Sequence, residues 1–507
     1  MIRKLLALVL LCSCPISADV GGPGWIAELS RSAPPHAQAT SITLPVGESA
    51  TVYTSSIALP TVEAPEGVEA TLLTVDSETR RVYTGTPLER IVEIPYWLPP
   101  EKWRRTEGPT PWAVRLTPTI EGKHEVTLKY TYGSFTVELD VRPAVPDPDA
   151  GFGFYFGLQQ THYPEQIDKY LADMKAHRLN TASAFISSGI FSGLTDKQPV
   201  GKKPVDLGWG TTDVEFAAWM LDKYVEYDLD AVPIMCLHMV TPEYLNEVKM
   251  LAKREWPELL GYNWDEPPAT VEAGQNVAHY SKQWREAKYR TCVAMSAASA
   301  FLYGELLDVW VIYADKSTEA LKAECARQNA EYWVYFNNRG TNAPFNRYYT
   351  GLWTWTVRPK VALRWAYTHF PWARVNEDGT WEASGYHEHV LPSPDGPISS
   401  VGYEGMRDGI IDYMVLRELE RQLEARRQDP LVPEIAQWLQ DLREAVQWDL
   451  YPDLRDGNDY GELSEKEDQS YGPWYWDAAD MAEPPIADMN SVRKKACDYL
   501  DRLRDGL

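Results

Sequence analysis

Leu259-Leu-Gly-Tyr-Asn-Trp-Asp-Glu-Pro-Pro268 is an apolar run of strand length that ends in two adjacent carboxylates and is stopped by two prolines. Runs of the same kind recur on either side. Phe152 to Leu158, Thr181 to Ser187 and Ala231 to Leu237 precede it, and Cys292 to Ser296, Val309 to Ala314, Tyr332 to Asn337 and Arg364 to His369 follow. Helical patterns separate them: Ile167, Tyr170, Leu171 and Met174 fall at i, i+3, i+4 and i+7, and Leu245, Val248 and Leu251 repeat the stripe. Eight such runs predict an α/β fold, a (β/α)8 TIM-type barrel over 150–428. The alternative is an open doubly wound sheet. It is disfavoured because no Gly-rich phosphate loop follows any run, as a nucleotide-binding open sheet would usually require.

Working outward, the segment 38–147 carries short alternating runs, such as Ala70 to Val75 and His124 to Tyr132, between Gly and Pro turns. They read as an all-β sandwich. Pro143, Pro146 and Pro148 then form a stiff linker that places a boundary near residue 150. Past the barrel, Gly405 to Arg426 reads as a long charged helix, Ile435, Trp438, Leu439, Leu442 and Val446 mark another, and Val492, Ala496, Tyr499 and Leu503 a last one. With the irregular stretch Asp449 to Pro485 these give a helical and irregular C-terminal extension over 429–507.

At the amino end, Arg3 and Lys4 precede an apolar run from Leu5 to Leu11 and then Ala18, the layout of a secretory signal over 1–18. Leu11-Cys12-Ser13-Cys14 resembles a bacterial lipobox, in which Cys14 becomes the lipidated first residue; cleavage after Ala18 is the equal alternative. Either predicts a secreted, periplasmic or cell-surface protein, in the first case with an N-terminal lipid anchor. No other segment is apolar for long enough to span a membrane. Cys236, Cys292, Cys325 and Cys497 suggest no disulfide framework.

The chain has 507 residues with 73 acidic against 49 basic side chains, a net charge of -24. That balance opposes adhesion to nucleic acid or anionic membrane. Its 20 Trp and 29 Tyr are flat amphipathic surfaces suited to stacking on sugar rings, and equally to filling a core.

In a barrel, reactive groups come from the carboxyl ends of the strands, which is where Asp265 and Glu266 fall. Like charges at short range resist joint ionisation, so one of the pair is expected to hold a proton near neutral pH. Glycosidic bond cleavage needs that combination: a carboxylic acid to protonate the leaving oxygen and a carboxylate to stabilise charge elsewhere. Neighbours cannot straddle a sugar as the two carboxylates of a conventional retaining enzyme do. Adjacent residues on a regular strand also point to opposite faces, so the two share a site only if the strand is irregular where Pro267 ends it. Such a pair suits a mechanism in which the nucleophile belongs to the substrate. A 2-acetamido carbonyl attacks the anomeric carbon, Asp265 holds the amide N–H, and Glu266 serves as acid and then base.

Asn263-Trp-Asp-Glu-Pro267 resembles the Asp-Glu-Pro strand of glycoside hydrolase family 123. Glu331-Tyr-Trp-Val-Tyr-Phe336, with Asn346-Arg347 and Ala362-Leu-Arg-Trp-Ala366, is similar to that group's seventh and eighth strand region. Glu404-Gly-Met-Arg-Asp-Gly-Ile-Ile-Asp-Tyr413 resembles the Arg-Asp-Gly-x-x-Asp-Tyr helix of the associated barrel proteins. The resemblance implies an exo-acting β-N-acetylgalactosaminidase behind an amino-terminal sandwich, with Asp265 as amide stabiliser, Glu266 as general acid/base, a glycan substrate and no metal or organic cofactor. Further candidates for substrate contact at the strand ends are His162, His238, Tyr262, Asn263, Tyr313, Asp315, Tyr335, Asn337 and Trp365. Asp315 doubles as the nucleophile if the neighbour mechanism is wrong; otherwise it caps the helix starting near Ser317. Trp353 and Trp355 read either as a sugar platform or as core. Asp265 and Glu266 themselves have a bland reading, as caps of the helix that follows Pro267. The competing functional classes are a glycosidase of other sugar specificity with a carboxylate nucleophile, and a non-catalytic carbohydrate-binding surface protein.

Overall fold

A computed structural model describes residues 36–37, 41–56, 60–76, 89–92, 110–130, 133–156, 164–184, 212–229, 234–236, 240–256, 258–314, 317–336, 343–365, 367, 372–375, 381–384, 389–393, 396–446, 485–486 and 488–506. The protein is mixed α/β. Its centre is a parallel sheet of eight strands: β1 (Gly151–Phe156), β2 (Thr181–Ala184), β3 (Ile234–Cys236), β4 (Leu259–Asp265), β5 (Arg290–Met295), β6 (Val309–Tyr313), β7 (Glu331–Phe336) and β8 (Val361–Arg364). They pair in chain order, and β8 pairs with β1, so the sheet closes. The eighth strand lies earlier than the expected Arg364 to His369. Val361 and Leu363 face the interior of the sheet, and strand pairing ends at Arg364, whose guanidinium is buried over the Phe336 ring at 4.5 Å.

Alternation explains the layers. In Gly-Phe-Gly-Phe-Tyr-Phe of β1, Phe152, Phe154 and Phe156 point outward into the core shared with Tyr170, Leu171 and Met174 of the helix Ile167–Ala176. Tyr155 points inward, with Leu260, Tyr262, Cys292, Ala294, Trp333, Tyr335 and Leu363 of the other strands. Gly153 is required between them, because a Cβ there would sit 2.2 Å from the Thr181 carbonyl oxygen of β2. The helices between strands begin at side-chain caps: Thr241, Thr270, Ser296 and Thr318 each accept a bond from the backbone N–H three residues on.

Before β1, a four-stranded and a seven-stranded sheet share one core, in which Leu44, Val126, Leu128 and Val137 meet Val52, Val114 and Leu116. The seven-stranded sheet takes in two strands from far along the chain, Val390–Ser393 and Gly396–Ser400; Ser399 and Ser400 lie opposite Ile91 and Val92. The helix Val401–Ala425 follows at once and carries Glu404, 1% exposed, into the seam. There Glu404 accepts from Arg115 at 2.7 Å, Arg407 at 2.8 Å, Thr51 at 2.9 Å and His177 at 3.2 Å. Arg407 also donates to the Thr51 hydroxyl at 2.9 Å and so ties the long helix to the amino-terminal sheet. Further along that helix, Asp412 receives Arg347 at 2.6 Å and Arg493 of the last helix, Met489–Asp505, at 2.5 Å.

Candidate active site

The geometry of the acid pair comes from a break in register. Tyr262 of β4 lies opposite Cys292 of β5, but Asp265 lies opposite Ala294, so three steps on β4 match two on β5. The extra residue is a β-bulge. It changes parity: Cys292 and Ala294 both face the interior, and so their partners Tyr262 and Asp265 do too, although they stand three steps apart, an odd number, along β4. The next residue, Glu266, has φ +48°, a left-handed conformation uncommon outside glycine. Its N–H donates to the Ala294 carbonyl at 3.2 Å, and the Pro267 carbonyl behind it accepts from Tyr303 at 2.8 Å and Ser299 at 3.0 Å. Backbone strain of this kind is kept only where the surroundings over-determine it, and it clusters at functional sites.

Both carboxylates are exposed at the carboxyl rim of the sheet, and each meets a tyrosine of the interior. The Tyr262 hydroxyl donates to Asp265 Oδ1 at 2.6 Å. The Tyr335 hydroxyl donates to Glu266 Oε1, and Tyr313 also hydrogen-bonds that carboxyl. Tyr313 and Tyr335 sit side by side on β6 and β7 with ring centres 4.6 Å apart. Trp365, half-buried just past β8, packs 5.6 Å from Tyr155, which in turn lies 6.1 Å from Tyr335. Although Glu266 opens onto solvent, the protein crowded around its carboxyl raises its pKa above the ordinary carboxylate range; Tyr313 opposes the shift and the Asp265 charge adds to it. A neighbouring carboxylate and partial desolvation are the means by which an acid is kept protonated for proton donation.

Asp265, Glu266, Tyr262, Tyr313, Tyr335 and Trp365 therefore form one constellation. Neither acid caps the following helix, since Thr270 does so. His162, His238, Asp315 and Asn337 lie outside the described residues, as does the side chain of Asn263 and the amino-terminal segment with Cys14. The helix after β6 is capped by Thr318. Trp353 and Trp355 are wholly buried in helical core and offer no sugar platform. Tyr155 belongs to the constellation and was not singled out from sequence. Its signal was its position as the one polar-tipped side chain on the inward register of β1, at that strand's carboxyl end.

Among the described residues no group of three or more His, Cys, Asp or Glu is arranged to hold a metal ion, and no helix is long and apolar enough to cross a membrane. An open hollow of about 500 Å³ lies elsewhere, lined by Ser281, Lys282, Arg285 and Lys288 at the opposite end of the sheet from the acids.

Residues 238–419, from the end of β3 through most of the long helix, match the family described as glycoside hydrolase 123, catalytic domain. No curated protein matches the chain. Among solved structures, a Bacteroides ovatus GH5 xyloglucanase in complex with a XXXG heptasaccharide is 10% identical over 75% of this chain and 100% of its own, with a TM-score of 0.30. An FMN-binding beta-glucuronidase from Facaelibacterium prausnitzii is 9% identical over 74% and 60%, with a TM-score of 0.31. Domains 5-6 of the S-layer protein SbsC are 12% identical over 22% of this chain, with a TM-score of 0.15, and the match spans 46% of that structure. Likenesses this weak assign neither fold nor function. The family match makes residues 238–419 similar to a glycoside hydrolase 123 catalytic domain, a likeness that supports glycoside hydrolase chemistry.

Proposed function

Taking that family likeness as premise, we propose that the chain is an exo-acting hydrolase that releases terminal β-linked N-acetylhexosamine, N-acetylgalactosamine first among them, by substrate-assisted retaining catalysis. The observation that carries the reading is the bulge in β4, beside which two consecutive acids both meet tyrosines of the interior, Asp265 at Tyr262 and Glu266 at Tyr335. In the first step the substrate's acetamido oxygen bonds to the anomeric carbon as the glycosidic C–O bond breaks. Glu266 gives its proton to the leaving oxygen, and Asp265 accepts the amide N–H and offsets the charge growing on the bicyclic intermediate. In the second step the Glu266 carboxylate takes a proton from water, whose oxygen attacks the same carbon and opens the ring. Two displacements return the β configuration. Trp365, half-buried and backed by the Tyr155 ring, supplies the aromatic surface beside the sugar. The (β/α)8 TIM-type architecture behind an amino-terminal sandwich, the division at about residue 150, and secretion or lipid tethering belong to the same proposal; the closed eight-strand order supports the first.

The test is an aryl glycoside panel. Hydrolysis of N-acetyl-β-galactosaminide or N-acetyl-β-glucosaminide, absent for the corresponding 2-hydroxy sugars and inhibited by a thiazoline mimic of the bicyclic intermediate, is the expected outcome. Turnover of 2-hydroxy glycosides without thiazoline inhibition moves the case to a carboxylate nucleophile, and binding without turnover moves it to a lectin-like protein. The pH profile provides a second check. Tyr313 stabilises the ionised form of Glu266, so Tyr313→Phe is expected to raise the pKa of the acid and carry the alkaline limb of kcat/KM to higher pH. A limb that stays or falls counts against Glu266 as the proton donor.

A further inference from the structure

We infer that Tyr262 is a positioning residue that pins the β4 bulge and, through it, the orientation of Asp265, and that it does not itself touch substrate. The inference rests on the reading of Asp265 as the brace for the substrate's amide. Tyr262 is wholly buried inside the sheet, beneath the exposed acids. Its hydroxyl has one proton and two lone pairs. The proton is committed to Asp265 Oδ1 at 2.6 Å, and one lone pair accepts the Ala294 N–H at 3.3 Å. That N–H belongs to the residue facing the bulge, where the parallel ladder from β4 is interrupted. A side-chain oxygen thus answers a main-chain donor, which would otherwise be buried without a partner at a cost of about 1–3 kcal/mol.

The same residue, Ala294, offers its carbonyl to the Glu266 N–H at 3.2 Å. One residue of β5 therefore fixes both acids, Glu266 directly and Asp265 by way of Tyr262. Tyr155, buried on the inward register of β1, packs in the same interior cluster as Tyr262. With Oδ1 held from below, Oδ2 is left to face the glycan.

The test is a double-mutant cycle on the full-length protein with the aryl N-acetyl-glycoside that it turns over. Tyr262→Phe is expected to lower kcat by about 100-fold, the scale of a misplaced catalytic group. KM should stay unchanged, because the phenol does not contact substrate. Combined with Asp265→Asn, it should cost no more than Asp265→Asn alone. Additive losses overturn the inference, since a merely structural defect multiplies with the loss of Asp265. Should Tyr262→Phe fail to fold, Tyr262→Met, which also lacks the hydroxyl, carries the same cycle, with additivity again fatal. A crystal structure of Tyr262→Phe decides the point without turnover: a turned Asp265 carboxyl or a repaired β4 register supports the pin, and an unmoved Asp265 overturns it. If the wild type turns over no acetamido sugar, the proposed reaction fails, yet that structure still judges the pin.

Discussion

Glu266→Gln is expected to lower kcat/KM on a nitrophenyl N-acetyl-β-galactosaminide by about 1,000-fold, within the range for removal of a general acid. The substitution is nearly isosteric, and its carbonyl oxygen can still accept the Tyr335 and Tyr313 hydroxyls. The loss therefore reports the proton rather than the packing. Leaving group provides the control. A dinitrophenolate is a weak base that departs with little protonation, so the gap between wild type and variant should narrow sharply with it. Equal losses across leaving groups would show that Glu266 acts in some way other than donating a proton.

The second large effect lies far from the chemistry. Glu404→Gln removes one negative charge from among Arg115, Arg407 and His177 while leaving all three in place. Breaking a buried ion pair from one side costs about 3–5 kcal/mol, because the remaining charges stay buried without compensation. The urea midpoint should fall accordingly; an unchanged midpoint would mean the seam is solvated. pH sharpens the prediction. The surrounding cations hold the Glu404 carboxyl well below its ordinary value despite burial, so its contribution is present above the ordinary carboxylate range and lost as pH falls through that lowered value. Burial works against a charged His177, but Asp173 and Glu404 outweigh it and raise its pKa. That contribution is complete below the ordinary histidine range and fades as pH rises through the raised value. The wild type should be most stable between the two, and the variant should show a flatter profile.

Much of this was legible in the chain itself. Strand-length apolar runs and the helical stripes between them mark seven of the eight central strands to within a few residues, because alternation and i, i+3, i+4 spacing are local signals. The eighth reads a few residues late: Val361–Arg364 is short, and a buried arginine at its end looks in sequence like a strand's beginning. The acid pair could be located, and the need for an irregular strand could be argued from parity alone. The bulge itself, the left-handed Glu266 and the inward Tyr155 could not, since each depends on which residue of a neighbouring strand lies opposite. Pairing across several hundred residues leaves no periodic trace, so the return of residues 390–400 to the amino-terminal sheet was equally invisible.

That return has a bearing on biosynthesis. A growing chain emerges amino end first, yet the open edge at Glu89–Val92 waits for Gly396–Ser400, which is translated only after every central strand. Until then a strand edge of the first sheet stands unpaired, the kind of surface that invites aggregation. A fragment cut near residue 150 would keep that edge permanently bare, so the amino-terminal part is better expressed together with the rest than alone.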